Sequence, residues 1–315
     1  MTIEEGKQAL VAVSAATLWA SPKSAEDTDR LALGQPAAVR DWVAGMTREQ
    51  RVDGLVDRAL TQVLLGDEVL VSDIEDGWAH VIVTDQPSSL DERGYPGWLP
   101  VEQLETAPTE TSETLPHIVS STATSIRDEP DGEVLIPGVG LGTRLPIIDE
   151  EPYRGWARVA LPGPRPAGWV RLHDVTGAPD KPEPAASGRV NALSVASQLL
   201  DVPYVWGGLS AYGVDCSSLV YLVYRQLGIR VPRDAHDQSA ASTAIEPDDA
   251  KPGDLYFFAR NGKSIHHVGV ATEPGEDGEP MMIHAAGNYG KVVHEEFTTE
   301  RAETLVGAGR VFDDE

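Results

Sequence analysis

The stretch DVPYVWGGLSAYGVDCSSLVYLVYRQLG, Asp201 to Gly228, holds the only cysteine of a 315-residue chain, in a small-residue loop that runs into an apolar segment. Leu219, Val220, Leu222, Val223 and Leu227 recur at helical spacing, and Gly228 stands where a helix should stop. Asp215 and Ser217 are placed to cap the start. Cys216 then falls in the first turn, where unpaired backbone N–H groups and the positive end of the helix dipole favour a thiolate and lower a thiol pKa. Free cysteine is also among the most commonly buried residue types, so position alone fits packing as well as chemistry. The Gly207-Gly208 pair reads as a turn.

A thiolate nucleophile needs a base to pair with it and later protonate the leaving group, and a third group to orient that base. Of eight histidines, His266, His267 and His284 lie on predicted strands, in SIHHVGVAT and MMIHAAGN. His80, His117 and His173 belong to the β-rich first half, and His236 and His294 read as loop or surface residues. Strand alternation sends His266 and His267 to opposite faces, so at most one of them faces the cysteine. Residue physics leaves the choice open. A metal site is disfavoured, because close-spaced pairs such as HxxxH or CxxC are missing and the cysteine is single; the expectation is no metal and no cofactor.

Outward from this segment, a helical run precedes it (Val190 to Leu200) and the strands DLYFFAR, HHVGVAT and MMIHAAG follow, an α+β order. The first half is organised by a repeat. LLGDEVLVSDIEDGWAHVIVTD followed by GYPGWLPVEQLE aligns with GLGTRLPIIDEEPYRGWARVALPG followed by PAGWVRLHDV. Each copy offers alternating strands, an acidic turn and two Gly-Trp pairs, the pattern of a small antiparallel β-barrel. Trp78, Trp98, Trp156 and Trp169 each follow a turn glycine and are expected in the barrel cores. The first copy is interrupted by QPAAVRDWVAGMTREQRVDGLVDRALTQV, which reads as a helical hairpin: Val39, Trp42, Val43 and Met46 keep helical spacing, and Thr47 with Gln50 resembles a capping box. ETAPTETSETLP and TGAPDKPEPAASG read as linkers. The expected domains are 1–108, a small β-barrel with a helical insertion; 109–178, a second small β-barrel; and 179–315, an α+β domain.

With 25 Lys+Arg against 50 Asp+Glu, the formal charge of −25 opposes binding to nucleic acid, anionic membranes or anionic wall polymers. One cysteine cannot form an intrachain disulfide, and a lone thiol suits a reducing compartment. The amino-terminal MTIEEGKQALVAVSAATLWAS has glutamates where a secretory signal has lysines, so the expected location is cytoplasmic, or secreted if a leader has been removed. No stretch is long enough for a membrane helix.

YVWGG, DCSSLVYLVYRQLGIRVPRDAHDQS, PGDLYFF, HHVGVAT and MIHA, in that order over about residues 190 to 300, resemble the NlpC family of cell-wall cysteine peptidases. The resemblance implies a papain-like core in 179–315, with the nucleophile starting a helix packed on an antiparallel sheet. It matches Cys216 to the nucleophile, His267 to the general base, His284 to the orienting residue and Tyr204 to a tyrosine near the oxyanion site, with the Cys216 N–H as second donor. It implies hydrolysis of the γ-D-glutamyl bond to a diamino acid in murein stem peptides. Asp215, Ser217, Trp206, Tyr95 and Asp234 are the implied substrate-binding residues, Asp215 suiting a free L-Ala amine.

The two leading barrels resemble bacterial Src-homology-type modules. In that order, barrels and peptidase look like the cytoplasmic enzymes that trim recycled murein tripeptides, where the first barrel narrows the site to peptides with a free amino end. Tyr95 in GYPGW matches a tyrosine contributed there; its acidic partner is not identified among Leu60, Thr61, Asp67 and Glu68. Ala235 stands where related enzymes often carry a serine, so one contact is missing or made by Asp234. The alternatives are a secreted lytic peptidase acting on intact murein, a non-catalytic wall-peptide binding protein, and a transferase using the same thioester.

Overall fold

The computed structural model describes residues 2–110, 116–149, 151–260 and 263–312, so the middle of the ETAPTETSETLP segment lies outside the described residues. The chain divides into two compact units, residues 1–180 with 205–213, and 181–204 with 214–315.

Among the described residues of the first unit, a seven-stranded antiparallel sheet runs in the order Ala59–Leu64, Ala15–Trp19, Tyr95–Pro100, Trp78–Val83, Glu68–Glu75, Gln8–Val11, Leu104–Glu105. The second copy forms a four-stranded sheet, Val134–Gly140, Ala123–Arg127, Gly168–Arg171, Trp156–Val159, and a three-stranded one, Arg144–Leu145, His117–Val119, Val175–Gly177. Val119, Ile126, Val139, Leu145, Val159 and Val170 fill its core.

The repeat is visible in the backbone. Both copies turn their central hairpin through two residues of positive φ, Asp76 (48°) and Gly77 (82°) in one, Arg154 (51°) and Gly155 (81°) in the other. That is the turn whose twist matches two right-twisted strands. Each Gly-Trp pair on the following strand does one further job. Trp98 pairs with Trp19 and Trp169 with Arg127, while the preceding glycines face inward. A Cβ on Gly97 would lie 2.9 Å from Leu18 Cδ2, and one on Gly168 would collide with Ile126 Cγ2.

This alternation corrects the expectation for the tryptophans. Of the four, Trp156 is core, 1% exposed, whereas Trp78, Trp98 and Trp169 are half-buried because the inward positions beside them belong to Ala79, to Gly97 and Leu99, and to Gly168 and Val170. Trp98 instead meets the edge of His80 and Trp169 that of Tyr153.

Two short helices, Val39–Gly45 and Arg48–Val52, lie in the segment read as a helical hairpin, and a third, Arg30–Leu33, precedes it. The capping box is present: Thr47 Oγ1 accepts the Gln50 N–H (3.2 Å) and Gln50 Oε1 the Thr47 N–H (2.8 Å). Trp42 packs edge-on against Trp19 with ring centroids 6.2 Å apart, and its Nε1 donates to Asp29, which is also paired with Arg58.

The second unit is mixed α+β. Its leading helix, Ala185–Gln198, starts earlier than expected: AASG, read as the end of a linker, is its first turn, with Pro184 at the N-cap. Gly188 is required there, since a Cβ would lie 2.5 Å from the Phe312 ring. An antiparallel six-stranded sheet follows in the order Thr243–Ile245, Leu305–Arg310, Leu255–Ala259, Ile265–Ala271, Met281–Ala286, Lys291–Glu296. Helices Cys216–Gln226 and Ala235–Ala241 pack against its Ile265–Ala271 strand. The first is buried on every side from Cys216 to Arg225, beyond the single apolar face its spacing suggests. It ends as expected at Gly228, φ 70°, whose N–H reaches the Arg225 carbonyl while that of Ile229 reaches Tyr224.

Because Ile126 is β-branched and stiff, Gly168→Ala should cost about 1–3 kcal/mol by overpacking. A lower urea midpoint is the expected result, and an unchanged one would contradict the inward placement of this glycine.

Candidate active site

The nucleophile candidate is set by a helix start. Asp215, extended at φ −99°, accepts the Ser218 N–H at 2.8 Å, and Ser218 Oγ accepts the Asp215 N–H at 2.8 Å. The reciprocal partner is thus Ser218, while Ser217 Oγ donates to Asp215 Oδ1 at 3.2 Å. Cys216 is the first helical residue, 7% exposed, and its sulfur takes backbone N–H groups from Ser217 and Val268. Burial pushes the thiol up to about 12, with the Asp215 charge adding to the rise and the N–H groups and Arg233 opposing it. The expected lowering therefore does not prevail, because desolvation outweighs what a helix terminus supplies.

Val268 follows His267, which is buried while His266 is exposed. Alternation on the Ile265–Ala271 strand thus chooses between the two. His267 Nε2 lies 2.7 Å from His284 Nδ1, their rings 4.9 Å apart and nearly perpendicular. The register explains the meeting: Val270 pairs with Ile283 and Ala271 with Met282, so one step further Gly269 stands opposite His284. His267 is then a diagonal neighbour of His284 on the same face. Gly269 leaves the space, since a Cβ there would come within 3.2 Å of the His284 Cβ.

The chain of contacts continues. On the Met281–Ala286 and Lys291–Glu296 strands Met282 pairs with Glu295 and His284 with Val293, and the diagonal brings Glu295 Oε1 to 2.9 Å from His284 Nε2. Burial holds His267 well below its ordinary 6.5, with the neighbouring His284 and Arg301 acting the same way. Burial also lowers His284, against the upward pull of Glu295. Glu295 lies below the usual carboxylate range, because His284 and then Tyr289 donate to it.

Tyr204 is buried, its N–H on the Gly290 carbonyl (2.8 Å), and it forms a bridge to Val214, two residues before Cys216. Asp215 and Ser217 are engaged by Arg233: Nη2 donates to Asp215 Oδ2 at 2.7 Å, and Nη1 donates to Asp215 Oδ1 at 3.1 Å and Ser217 Oγ at 2.8 Å. Asp215 is thus paired with a buried guanidinium. Asp234 is the N-cap residue of Ala235–Ala241, without a side-chain cap bond, and Ala235 is buried. Tyr95 and Trp206 belong to the first unit. Tyr95 is buried opposite Val83; Trp206 is 37% exposed, its N–H on the Arg51 carbonyl. Among the described residues, Asp234, His236 and Asp237 bring potential metal-ligand atoms within 4.8 Å of one another; Cys216, His267 and His284 are not part of that group.

Arg233, Glu295 and Arg301 were not anticipated. Arg233 sits in VPRDAHDQ and is 1% exposed, and burial of an arginine has no periodic signature. Glu295 follows His294 in KVVHEE, a strand pattern too polar to stand out. Arg301, over the Phe258 ring at 5.2 Å, lies on a short helix.

Two outcomes follow from this electrostatics. Arg233→Met should cost about 3–5 kcal/mol in denaturant unfolding, since it leaves the Asp215 carboxylate buried without its cation; a neutral result would contradict the pairing. Below pH 6.5, histidines of the unfolded chain take up protons that His267 and His284 resist. The unfolded state then binds more protons, so the stability these residues contribute is complete above 6.5 and is lost as pH falls toward their depressed values. Urea midpoints should decline from about pH 7 to about pH 5, and His267→Asn should flatten that decline; an equal slope in both proteins would refute this.

The model of the NlpC/P60 family matches residues 201–309. A γ-D-glutamyl-L-lysine dipeptidyl-peptidase of Bacillus cereus (strain ATCC 10987 / NRS 248) is 34% identical over 291 residues, 90% of this chain and 84% of that protein. One of Bacillus subtilis (strain 168) is 35% identical over 275 residues, 86% and 87% of the two chains. The crystal structure of an NlpC/P60 family protein from Bacillus cereus ATCC 10987 superposes with a TM-score of 0.85 at 31% identity, covering 98% of this chain and 100% of that one. With a cysteine-initiated helix, a buried pair of strand histidines and similarity running through both units, this chain belongs to the NlpC/P60 family of cysteine peptidases.

Proposed function

We propose that this protein hydrolyses the bond between γ-D-glutamate and a diamino acid in murein stem peptides, acting on free L-Ala-γ-D-Glu-diamino acid peptides. One observation carries the reading: a buried cysteine opens a helix packed on the strand that holds His267, in a chain similar over most of its length to two γ-D-glutamyl-L-lysine dipeptidyl-peptidases. A dipeptidyl-peptidase counts residues from a free amino end, which supports the preference for a free L-Ala amine over intact murein. The formal charge of −25 supports the same preference, because it gives no attraction to anionic wall polymers. The lone thiol supports action in the cytoplasm. Among the described residues no helix is long and apolar enough to cross a membrane.

The chemistry starts from a neutral pair, since burial raises the thiol and lowers the imidazole. As Sγ of Cys216 attacks the γ-carbonyl carbon, its proton passes to His267, and the carbonyl electron pair becomes an oxyanion received by the Cys216 N–H and the Tyr204 hydroxyl. The oxyanion collapses, the C–N bond breaks, and protonated His267 gives its proton to the departing amine. Water, deprotonated by His267, then adds to the thioester, and the sulfur leaves and recovers a proton. Ser217 and Asp234 are assigned to the peptide's polar groups, and Asp215 acts there together with Arg233.

Cys216→Ala should lower cleavage of L-Ala-γ-D-Glu-L-Lys by roughly three orders of magnitude or more, read by chromatography of released lysine. Acetylation of the L-Ala amine should abolish cleavage by the wild type. Equal turnover by variant and wild type would end the cysteine mechanism. Equal cleavage of the acetylated peptide or of sacculi would favour the lytic reading.

A further inference from the structure

Glu295 lies outside the Cys216, His267 and His284 set, yet it is the group that decides where the histidine protons sit. A carboxylate only accepts hydrogen bonds, so the nitrogen facing it carries a proton. That nitrogen is Nε2 of His284, 2.9 Å from Glu295 Oε1. In a neutral imidazole the other nitrogen is then an acceptor. Nδ1 of His284, 2.7 Å from His267 Nε2, must therefore receive a proton from it. His267 in turn, protonated at Nε2, is left with its lone pair on Nδ1.

We propose that Glu295 is a positioning residue that fixes the tautomers of both histidines and so makes Nδ1 of His267 the nitrogen that takes the Cys216 proton. The proposal rests on the reading of Cys216 and His267 as nucleophile and base. Three adjacent strands carry the chain of bonds, with His267, His284 and Glu295 each one diagonal step from the next. Burial leaves few other partners: the His284 side chain is fully buried and that of Glu295 is 15% exposed. The Tyr289 hydroxyl donates to the same carboxylate, and Arg301 lies near enough to reinforce its negative charge. When His267 becomes an imidazolium, its Nε2–H keeps its acceptor in His284, so the chain does not rearrange during the proton transfer.

The test combines spectroscopy with kinetics on the full chain. In histidine-labelled wild-type protein, long-range ¹⁵N–¹H correlations at neutral pH should show both His284 and His267 protonated at Nε2. In Glu295→Ala, with no acceptor, the His284 signals should shift toward a tautomer mixture. Its kcat should fall on the order of 10- to 100-fold, part of the contribution of a positioned base, with KM of the tripeptide little changed and the acid limb of the rate profile displaced. A His284 proton on Nδ1 in the wild type overturns the proposal, and so does a Glu295→Ala protein with unaltered tautomers and kcat. The wild-type spectrum keeps the test decisive even if the variant folds poorly. Full turnover by Cys216→Ala would instead sink the nucleophile assignment while leaving the tautomer result standing.

Discussion

The second unit depends on a geometric constraint of antiparallel sheets. Residues one diagonal step apart on neighbouring strands share a face and lie within reach of long or aromatic side chains. His267, His284 and Glu295 occupy successive diagonals, so a line of hydrogen bonds crosses three strands with no loop in it. Strands hold their side chains more firmly than loops do, and register is fixed wherever one face is buried. Gly269 belongs to this constraint, because a Cβ there would lie 2.5 Å from Met282 Sδ and 3.2 Å from the His284 Cβ. The His-Val-Gly order of the sequence is thus a packing requirement as much as a chemical one.

Burial is the second determinant. It raises the thiol and depresses the imidazole, so desolvation favours the neutral form of each group. In the proposed mechanism charge develops on these groups as the reaction proceeds. Backbone N–H groups of Ser217 and Val268 favour the charged sulfur, and Arg233 offsets the acid next to it. Preorganised dipoles of this kind need no solvent reorganisation when charge develops.

How much of this was legible in the sequence varies with the kind of signal. Helix termini carry local chemistry, and Asp215 before Cys216, Thr47 before Gln50 and Gly228 after Leu227 all announced themselves. Strand alternation separated His266 from His267 without naming which one faces the thiol; order along the chain and family resemblance supplied that. Arg233 and Glu295 were hidden because their roles come from distant partners, Asp215 and His284, that no short window contains. Trp78, Trp98 and Trp169 misled for a related reason. Following a glycine marks a turn or a close approach, yet the face a residue occupies is set by its partner strand.

The pairing of Trp19 with Trp98 and of Arg127 with Trp169 places position 19 of the first copy where the second has a cation. Trp19 is fully buried against Trp42 of the inserted helices, whereas the Arg127 guanidinium reaches back to the carbonyl of Gly132. The insertion has therefore become part of the hydrophobic core beside which it sits. Sheet and insert cannot separate without wetting an indole, so amide hydrogens in the Val39–Gly45 helix should exchange together with those of the Ala15–Trp19 strand, as a single cooperative unit.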